Sequence, residues 1–416
     1  MAPQRANKIV MRYKPKHNGY GLHSNEQIPL PNQTMRFRFG ELFCGPGGLA
    51  LGAIKASVNS NGKRGYNIRH AWATDYDRDT CETYRRNICS GESKSVLCAD
   101  IRNLNYERLA EISPVDAMAF GFPCNDFSVV GEQRGMDGVY GPLYSYCVKA
   151  LAEFKPRWFL AENVGGMRNA NDGKAFDVIL SDLFDQGYSL YPHLYKFEQY
   201  GVPQARHRIV IVGIHKNENV LFKIPSSRNF KQKSCREALE NPPITSSANN
   251  HDFTAQSKQV VERLRHIKPG ENAFTADIPE SLRLKIGTVK ISQIYKRLDP
   301  DKPAYTITGS GGGGTHMYHW KENRALTNRE RARLQTFPDG FVFHGSKESV
   351  RKQIGMAVPP KGAKVIFSAI LKSFAGVEYA HEKPSMQSQL QDEHLKLYNL
   401  RPLDSQSRVC DEVNVV

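Results

Sequence analysis

The stretch FGELFCGPGGLALG, residues 39–52, decides how the chain folds. Apolar residues from Met35 onward predict a strand, the glycines at 45, 47 and 48 predict a tight turn, and the residues after them begin a helical pattern. Glycines between a strand and a helix let a ligand approach the backbone closely. No lysine followed by serine or threonine comes after them, so the pattern disfavours a phosphate-binding loop of the nucleotide-hydrolase kind.

Strand-like and helix-like segments alternate from this turn up to about Gly213. HAWATDYD, VDAMAFGFPC and RWFLAENV predict strands, and RDTCETYRRNI, LYSYCVKALAEF and AFDVILSDLFDQGY predict helices. YPHLYKFEQYG and HRIVIVGIH predict a final hairpin-like pair of strands. The alternation indicates an α/β fold with a doubly wound, mostly parallel sheet and helices on both faces.

The chain divides into four predicted parts. Residues 1–34 form a basic N-terminal arm, and residues 35–216 with 345–376 form the main domain. Residues 217–344 form a second, smaller and irregular domain, rich in polar loops and basic clusters, and residues 377–416 form a polar tail. LTNRERARLQTF predicts a helix, and QIGMAVPPKGAKVIFSAILKSF predicts a loop followed by a long helix.

The composition favours a folded protein with a polyanionic partner. Hydrophobic residues make up 40% of the 416 residues, and no apolar stretch approaches the length that spans a bilayer. The eight cysteines form no CxxC pair, which predicts free thiols in a reducing cytoplasm and no metal site. The formal net charge of +15 favours nucleic acid, although charge cannot choose between DNA and RNA.

Groups at three successive strand ends suggest a nucleoside cofactor: the glycine turn, Asp75 with its neighbour Tyr76, and Asp100. Asp75 stands where dinucleotide folds place the acid that binds ribose hydroxyls, Tyr76 can stack on an adenine ring, and Asp100 can accept from an adenine amino group. Each acid taken alone is more often a helix N-cap or a turn residue. Because phosphate-binding features are lacking, S-adenosylmethionine fits better than NAD or ATP.

The stretch GFPCNDFSVVGEQRG, residues 121–135, places Cys124 after a predicted strand, at the sheet edge where α/β folds bind ligands. A lowered pKa would make its thiol a nucleophile. Glu162 follows another apolar strand and could be its acidic partner, although taken singly a salt-bridged strand end is the simpler interpretation. Arg206 and Arg208 alternate in sequence, so we expect them to share one face of an extended segment.

Together these residues resemble the DNA cytosine-5 methyltransferase family, with a match from about Met35 to Phe374. Several motifs occur in the order typical of the family: Phe43-x-Gly45-x-Gly47-Gly48, Pro123-Cys124-x-x-Phe127-Ser128, Glu162-Asn163-Val164 and Gln204-x-Arg206-x-Arg208. RERARLQTFPDGF and QIGMAVPP resemble the last two family blocks.

The resemblance implies the chemistry and the residues that perform it. Cys124 would attack C6 of a flipped-out cytosine, Glu162 would hold N3, and Arg206 would steady the base carbonyl. The cofactor would be S-adenosylmethionine, bound by Phe43, Gly45, Gly47, Gly48, Asp75, Tyr76, Asp100, Ile101, Pro123 and Leu143. Residues 217–344 would be the target-recognition domain, and DNA would be contacted by Asn125, Ser128, Arg208, Thr306 and Thr308.

Two departures and two rivals qualify this expectation. Asn125 stands where the family usually has glutamine, and Met356 where it usually has asparagine. An RNA cytosine-5 methyltransferase is the nearest rival, which Phe127-Ser128 and the long recognition region disfavour; a catalytically dead DNA-binding regulator is the other. We expect a cytoplasmic, monomeric enzyme with double-stranded DNA as partner, no membrane association, and a paired restriction endonuclease.

Overall fold

The computed structural model describes residues 34–60, 62, 64–89, 93–122, 143–167, 174–284, 292–309 and 313–386. The strands are β1 (Thr34–Leu42), β2 (Ser57–Ser60), β3 (Arg64–Asp75), β4 (Val96–Cys98), β5 (Ala117–Phe120), β6 (Trp158–Val164), β7 (Tyr188–Lys196), β8 (Gln204–Ala205), β9 (His207–His215), β10 (Ile224–Pro225), β11 (Ala304–Tyr305) and β12 (His381–Glu382). The α-helices are α1 (Gly48–Ile54), α2 (Arg78–Ile88), α3 (Tyr106–Ile112), α4 (Leu143–Phe154), α5 (Lys174–Asp185), α6 (Cys235–Glu240), α7 (Lys258–Arg265), α8 (Asn328–Leu334), α9 (Lys347–Met356) and α10 (Pro360–Ala375).

One large sheet has the strand order β2-β3-β1-β5-β6-β9-β7, with β4 paired to the carboxyl-terminal part of β3. Strands β4, β3, β1, β5 and β6 run parallel, whereas β9 is antiparallel to both β6 and β7. The carboxyl ends of the parallel strands therefore lie along one edge of the sheet, the edge at which such folds bind their ligands. The prediction of a mostly parallel sheet with a final antiparallel pair is confirmed.

Alternating side chains bury the sheet on both faces. In β6, Trp158 and Leu160 enter one hydrophobic core, and Phe159 and Ala161 enter the other. Helices α1, α2 and α10 contribute side chains to the first core, and α3, α4 and α5 contribute to the second. Full burial of one such large side chain contributes about 1.5–3 kcal/mol to the free energy of unfolding. The two cores therefore fix the sheet, and with it the edge at which the strands end.

The region that follows the large sheet has a small core of its own. Its buried members are Leu264, Ile267, Ile278, Tyr295, Tyr318 and Ala325. This region returns to the main body through β11, which pairs parallel with β8. Most of its described backbone lies outside helices and strands, which agrees with the irregular character read from the sequence.

Three details differ from the sequence-based prediction. Residues 353–356 were expected in a loop, but they are the last turn of α9, because Val350 and Ile354 are buried on one face of that helix. β2 was not predicted; it is a short antiparallel strand beside β3. The start of the polar tail, for which no element was predicted, contains β12, which pairs with β10. Residues Lys347–Ala375 are long and apolar enough to span a bilayer. However, 72% of their most apolar stretch is buried inside the protein, as expected of core helices.

Candidate active site

The glycine turn after β1 is held in a strained conformation that faces the edge of the sheet. Phe43 has a positive φ of 53°, and Gly45 and Gly47 have φ values of 54° and 96°. The amide of Gly45 donates to Asp75 Oδ2 over 3.0 Å, which ties the turn to the end of β3. Positive φ at a bulky residue is uncommon, and such strain concentrates at functional sites.

Asp75 receives amides from two directions. Its other carboxylate oxygen, Oδ1, accepts from the amide of Asp77 over 3.0 Å. Burial raises the pKa of Asp75, while the hydrogen bonds from Asp77 and Gly45 act in the opposite direction. Two backbone donors fix the Asp75 carboxylate at the carboxyl edge of the sheet. Each of its oxygens retains a second lone pair that can accept from a ligand hydroxyl.

A cavity of about 230 Å³ opens beside this carboxylate. Six of the ten predicted cofactor residues line it: Phe43, Asp75, Tyr76, Asp100, Ile101 and Leu143. The Tyr76 side chain is 67% exposed, so a flat ring can stack on it. A carboxylate, an exposed aromatic ring and apolar walls together suit a nucleoside with free ribose hydroxyls.

Asp100 is less available than the sequence suggested. Its carboxylate accepts from the Arg102 amide and also binds the Arg102 guanidinium, with contacts of 2.6–2.9 Å. These contacts lower its pKa to about 2. Arg102 itself lines the cavity and was not singled out from the sequence, because a lone arginine after a strand gives no pattern.

Glu162 of β6 and Arg208 of β9 form an ion pair. Arg208 Nε lies 2.8 Å from Glu162 Oε1, and both side chains are largely buried, at 13% and 12% exposure. A Cβ added to Gly121, just after β5, would lie 3.2 Å from Glu162 Oε2. Asn163 Nδ2 also donates to Phe122 O over 3.3 Å. The carboxylate therefore lies against the backbone that leads from β5 towards Cys124.

Arg206 contacts a different part of the molecule. Its side chain is 1% exposed, and its Nη1 and Nη2 donate to the carbonyls of Ile307 and Met356. The extended segment that was expected to carry both arginines is interrupted at Arg206, because β8 ends at Ala205 and β9 begins at His207. Arg206 joins distant segments, while Arg208 faces the carboxylate.

The two predicted threonines lie where the second region meets the main body. Thr306 Oγ1 donates to Ala205 O over 2.7 Å. The backbone at Thr308 packs against Gly355 in α9 so closely that a Cβ there would lie 2.2 Å from the Thr308 carbonyl carbon. Four predicted residues, Pro123, Cys124, Asn125 and Ser128, lie outside the described residues.

Two predicted glycines of the turn, Gly47 and Gly48, pack closely against other segments of the chain. A Cβ added to Gly48 would lie 2.2 Å from Val358 O, so only glycine permits α1 to meet the segment before α10. A Cβ at Gly47 would meet Ile88 at 2.9 Å, and its φ is positive. Gly47 and Gly48 shape the turn and do not line the cavity, whereas Gly45 holds Asp75.

The order of the strands in the sheet decides which of these residues lie next to one another at the edge. β3 ends at Asp75, Phe43 directly follows β1, and Asp100 lies two residues after β4. Glu162 lies within β6. β5, which leads to Cys124, runs between β1 and β6. This arrangement defines an enzyme of the cofactor-binding α/β class whose acid and arginine stand on one side of β5 and whose cofactor cavity stands on the other. No group of three or more metal-binding side chains occurs among the described residues.

Comparison with known proteins agrees with this geometry. The family model for C-5 cytosine-specific DNA methylases matches residues 37–372. The chain is 58% identical to the type II methyltransferase M.BbvI of Brevibacillus brevis, over 83% of this chain and 93% of that one. It is 36% identical to the type II methyltransferase M.NgoFVII of Neisseria gonorrhoeae, over 86% and 92%. A structure described as a DNA modification methyltransferase encoded within an E. coli prophage shares the fold, with a TM-score of 0.63, 24% identity and coverage of 81% and 99%.

The chain therefore belongs to the C-5 cytosine-specific DNA methylase family. It is a DNA cytosine-5 methyltransferase of the type II kind, and its cofactor is S-adenosylmethionine.

Proposed function

We propose that this enzyme methylates C5 of one cytosine in a specific duplex DNA sequence through a transient bond between Cys124 and C6 of the base. The observation that carries the proposal is the Glu162–Arg208 pair, held 2.8 Å apart against the backbone that leads to Cys124. An acid and a guanidinium side by side match the N3 and carbonyl edge of cytosine.

The chemistry requires activation of the base, because C5 of cytosine is a poor nucleophile. When the Cys124 thiolate adds to C6, a C6–S bond forms and electron density moves onto C5 and N3. Glu162 protonates or holds N3, and the neighbouring guanidinium stabilises the developing charge. When bound, S-adenosylmethionine would supply an electrophilic methyl group: C5 would gain a bond to the methyl carbon while the S–CH3 bond breaks and a neutral thioether leaves. Loss of the C5 proton to a base then breaks the C6–S bond and restores the thiolate.

Arg208 is the better candidate for the base-contacting arginine. The sequence-based assignment was Arg206, but its guanidinium donates to two backbone carbonyls at a fully buried position. Arg208 is paired with Glu162, the carboxylate that is proposed to hold N3 of the cytosine. We therefore propose that Arg208 contacts the cytosine and that Arg206 positions the segments around it.

The reaction also requires the cytosine to leave the helix, because a stacked base presents neither face of its ring to an attacking thiolate. The residues from Gly309 to Thr315 and the two threonines before them are proposed to contact the DNA. The type II relatives favour duplex DNA as the substrate, a role in the bacterial cytosol, and a restriction endonuclease that cuts the same sequence.

The proposed covalent step can be tested with duplex DNA that contains 5-fluorocytosine. The wild-type enzyme should form a stable protein–DNA adduct in the presence of S-adenosylmethionine, because fluorine cannot be lost as a cation. Cys124→Ser should form no adduct and should transfer no labelled methyl group. Full activity of Cys124→Ser would refute the covalent mechanism, and methylation of tRNA without methylation of DNA would favour the RNA rival.

Matched variants separate the two arginines. Measured on folded protein, Arg208→Met should lower the single-turnover rate by about 10²–10³-fold, as removal of a charge-stabilising donor does. Its thermal stability should also fall, because Glu162 loses its buried partner. Arg206→Met should lower the free energy of unfolding by about 1–3 kcal/mol, because two buried carbonyls lose their donor. The reverse pattern would restore the original assignment to Arg206.

A further inference from the structure

Two arginines from neighbouring helices face one small cavity away from the cofactor. Arg331 of α8 and Arg351 of α9 line it together with His316. The other lining residues are Asp252, Thr254, Leu326, Asn328 and Lys347. The enclosed space is about 10 Å³, enough for one water-sized group.

Both guanidinium groups carry buried donors that no group in the described part of the chain satisfies. Arg331 is only 2% exposed, and its Nη2 has no hydrogen-bond partner. The side chain of Arg351 is 14% exposed, and its Nε likewise has no partner. Leaving a buried charged donor unpaired is costly, so such groups normally have a counter-ion. A nearby arginine illustrates the norm, since Arg324 contacts both oxygens of Glu330.

The carboxylates around the cavity do not supply that counter-ion. Glu330 is engaged by Arg324, and Glu348 lies 3.8 Å from Arg351 with its side chain 84% exposed. Asp252 lines the cavity, but within the described part of the chain it forms no ion pair with either arginine. Burial and the neighbouring Arg351 lower the pKa of Arg331 to about 10, and burial and both arginines lower that of His316 to about 4. Arg331 is nevertheless charged at neutral pH.

We propose that this cavity binds one phosphate of the DNA backbone, with a non-bridging oxygen entering between Arg331 and Arg351. Arginine is suited to this because its planar donors match phosphate oxygens. A whole free phosphate is larger than the enclosed space, whereas one oxygen of a phosphodiester fits while the rest stays outside. Asp252 opposes an anion here, but two guanidinium charges outweigh one carboxylate.

The position of the cavity favours DNA as the source of the phosphate. His316 directly follows the GSGGGGT run, residues 309–315, which is proposed to contact DNA. Gly309, the first residue of that run, packs on α9, since a Cβ added there would lie 3.1 Å from Lys352 Cα, one residue from Arg351. This inference rests on the proposed function, because it assumes that DNA lies along the recognition region.

The test compares Arg331→Met and Arg351→Met with Arg236→Met, an exposed arginine of α6 that is already paired with Asp301. In phosphate-free, low-salt buffer, Arg331→Met should melt at or above the wild-type temperature, because an uncompensated buried charge is removed. Its affinity for duplex DNA should fall about tenfold, and the slope of log K against log salt should decrease by about 1, as expected for one lost phosphate contact. Arg351→Met should behave similarly, and Arg236→Met should keep the wild-type slope.

Wild-type DNA affinity and slope in both variants of the cavity would overturn the proposal. A melting temperature that inorganic phosphate raises in the wild type alone, with unchanged DNA affinity, would assign the cavity to a free anion and also overturn it. If instead all proteins bind DNA in the expected way but none transfers a methyl group, the proposed function fails and the phosphate contact stands.

Discussion

Glu41 is a carboxyl group buried directly behind the glycine turn. It is 1% exposed at the end of β1, and burial raises its pKa to about 8. Tyr84 Oη lies 3.0 Å from Glu41 Oε2 and 3.2 Å from His70 Nδ1, and burial lowers the pKa of His70 to about 4. The Tyr84 hydroxyl donates to Glu41 Oε2, and its oxygen also lies within hydrogen-bond distance of the His70 ring. Burial opposes the charged form of both Glu41 and His70, so both are neutral in this buried group.

This arrangement predicts a pH-dependent stability. Because the pKa of Glu41 is higher in the folded than in the unfolded protein, its contribution is present at low pH and is lost as pH rises towards and through about 8. Glu41→Gln, which keeps the shape without the ionisation, should remove about 2 kcal/mol of the loss in unfolding free energy between pH 6 and 9. Urea denaturation at several pH values measures this.

The matched control for Glu41 is the exposed Glu111→Gln, which should leave the pH profile of the wild type intact. An identical decline of stability with pH in Glu41→Gln and wild type would contradict a raised pKa at Glu41. Loss of stability at all pH values would indicate that the glutamine cannot reproduce the hydrogen bond to Tyr84.

At the scale of elements, local pattern predicted most of the main domain. The predicted helices at RDTCETYRRNI and LYSYCVKALAEF coincide with α2 and α4, because each carries apolar residues at helical spacing. α9 was missed because its mixed polar sequence is buried by tertiary contacts: Gln353 is 1% exposed and binds Thr83 and His344. A single sequence does not show such contacts.

The same limit applies to the site. Strand ends pointed to Asp75, Tyr76 and Glu162, because parallel strands deliver their carboxyl ends to one edge. The choice between Arg206 and Arg208 could not be made, since the interruption between β8 and β9 depends on carbonyls more than a hundred residues away. Likewise, nothing in the sequence showed that Arg102 would occupy the carboxylate of Asp100.

The packing of α1 against the segment before α10 makes Gly48 a testable position. Gly48→Ala should lower the free energy of unfolding by about 1–3 kcal/mol, because the new methyl group would overlap Val358 O and force α1 outward. Since the same turn carries Gly45, which holds Asp75, affinity for S-adenosylmethionine should fall as well. Chemical denaturation and isothermal titration calorimetry measure the two effects.

Gly376→Ala is the control for Gly48, because Gly376 has a φ of 63° and no neighbour within 4 Å of an added Cβ. It should cost about 1 kcal/mol through backbone strain alone and leave cofactor affinity unchanged. Equal cofactor affinity in Gly48→Ala and wild type would show that the contact at Val358 does not influence the turn.

At the scale of the whole molecule, a buried amide pair joins four distant segments. Gln204 and Gln335 are both fully buried, and Gln204 Nε2 donates to Gln335 Oε1 over 2.9 Å. Gln204 Oε1 accepts from the amide of Ile307, and Gln335 Nε2 donates to the carbonyl of Ile354. The pair thus connects β8 and the segment after β11 with α8 and α9, so the proposed DNA-contacting threonines are anchored to the main body.

Gln335→Leu should therefore affect DNA binding more than cofactor binding. The substitution leaves the amide of Gln204 and the carbonyl of Ile354 without partners, which should lower the free energy of unfolding by about 2–4 kcal/mol. The segment from Thr306 to Thr308 loses its anchor through Gln204, while the cavity beside Asp75 lies on the other side of β5 and keeps its contacts. Gln186→Leu, in a local contact with Asp182 O, should have little effect on either property. Fluorescence anisotropy with duplex DNA and calorimetry with S-adenosylmethionine distinguish the two, and an equal loss of both affinities would mean that the amide pair supports the whole fold rather than the position of the recognition segment.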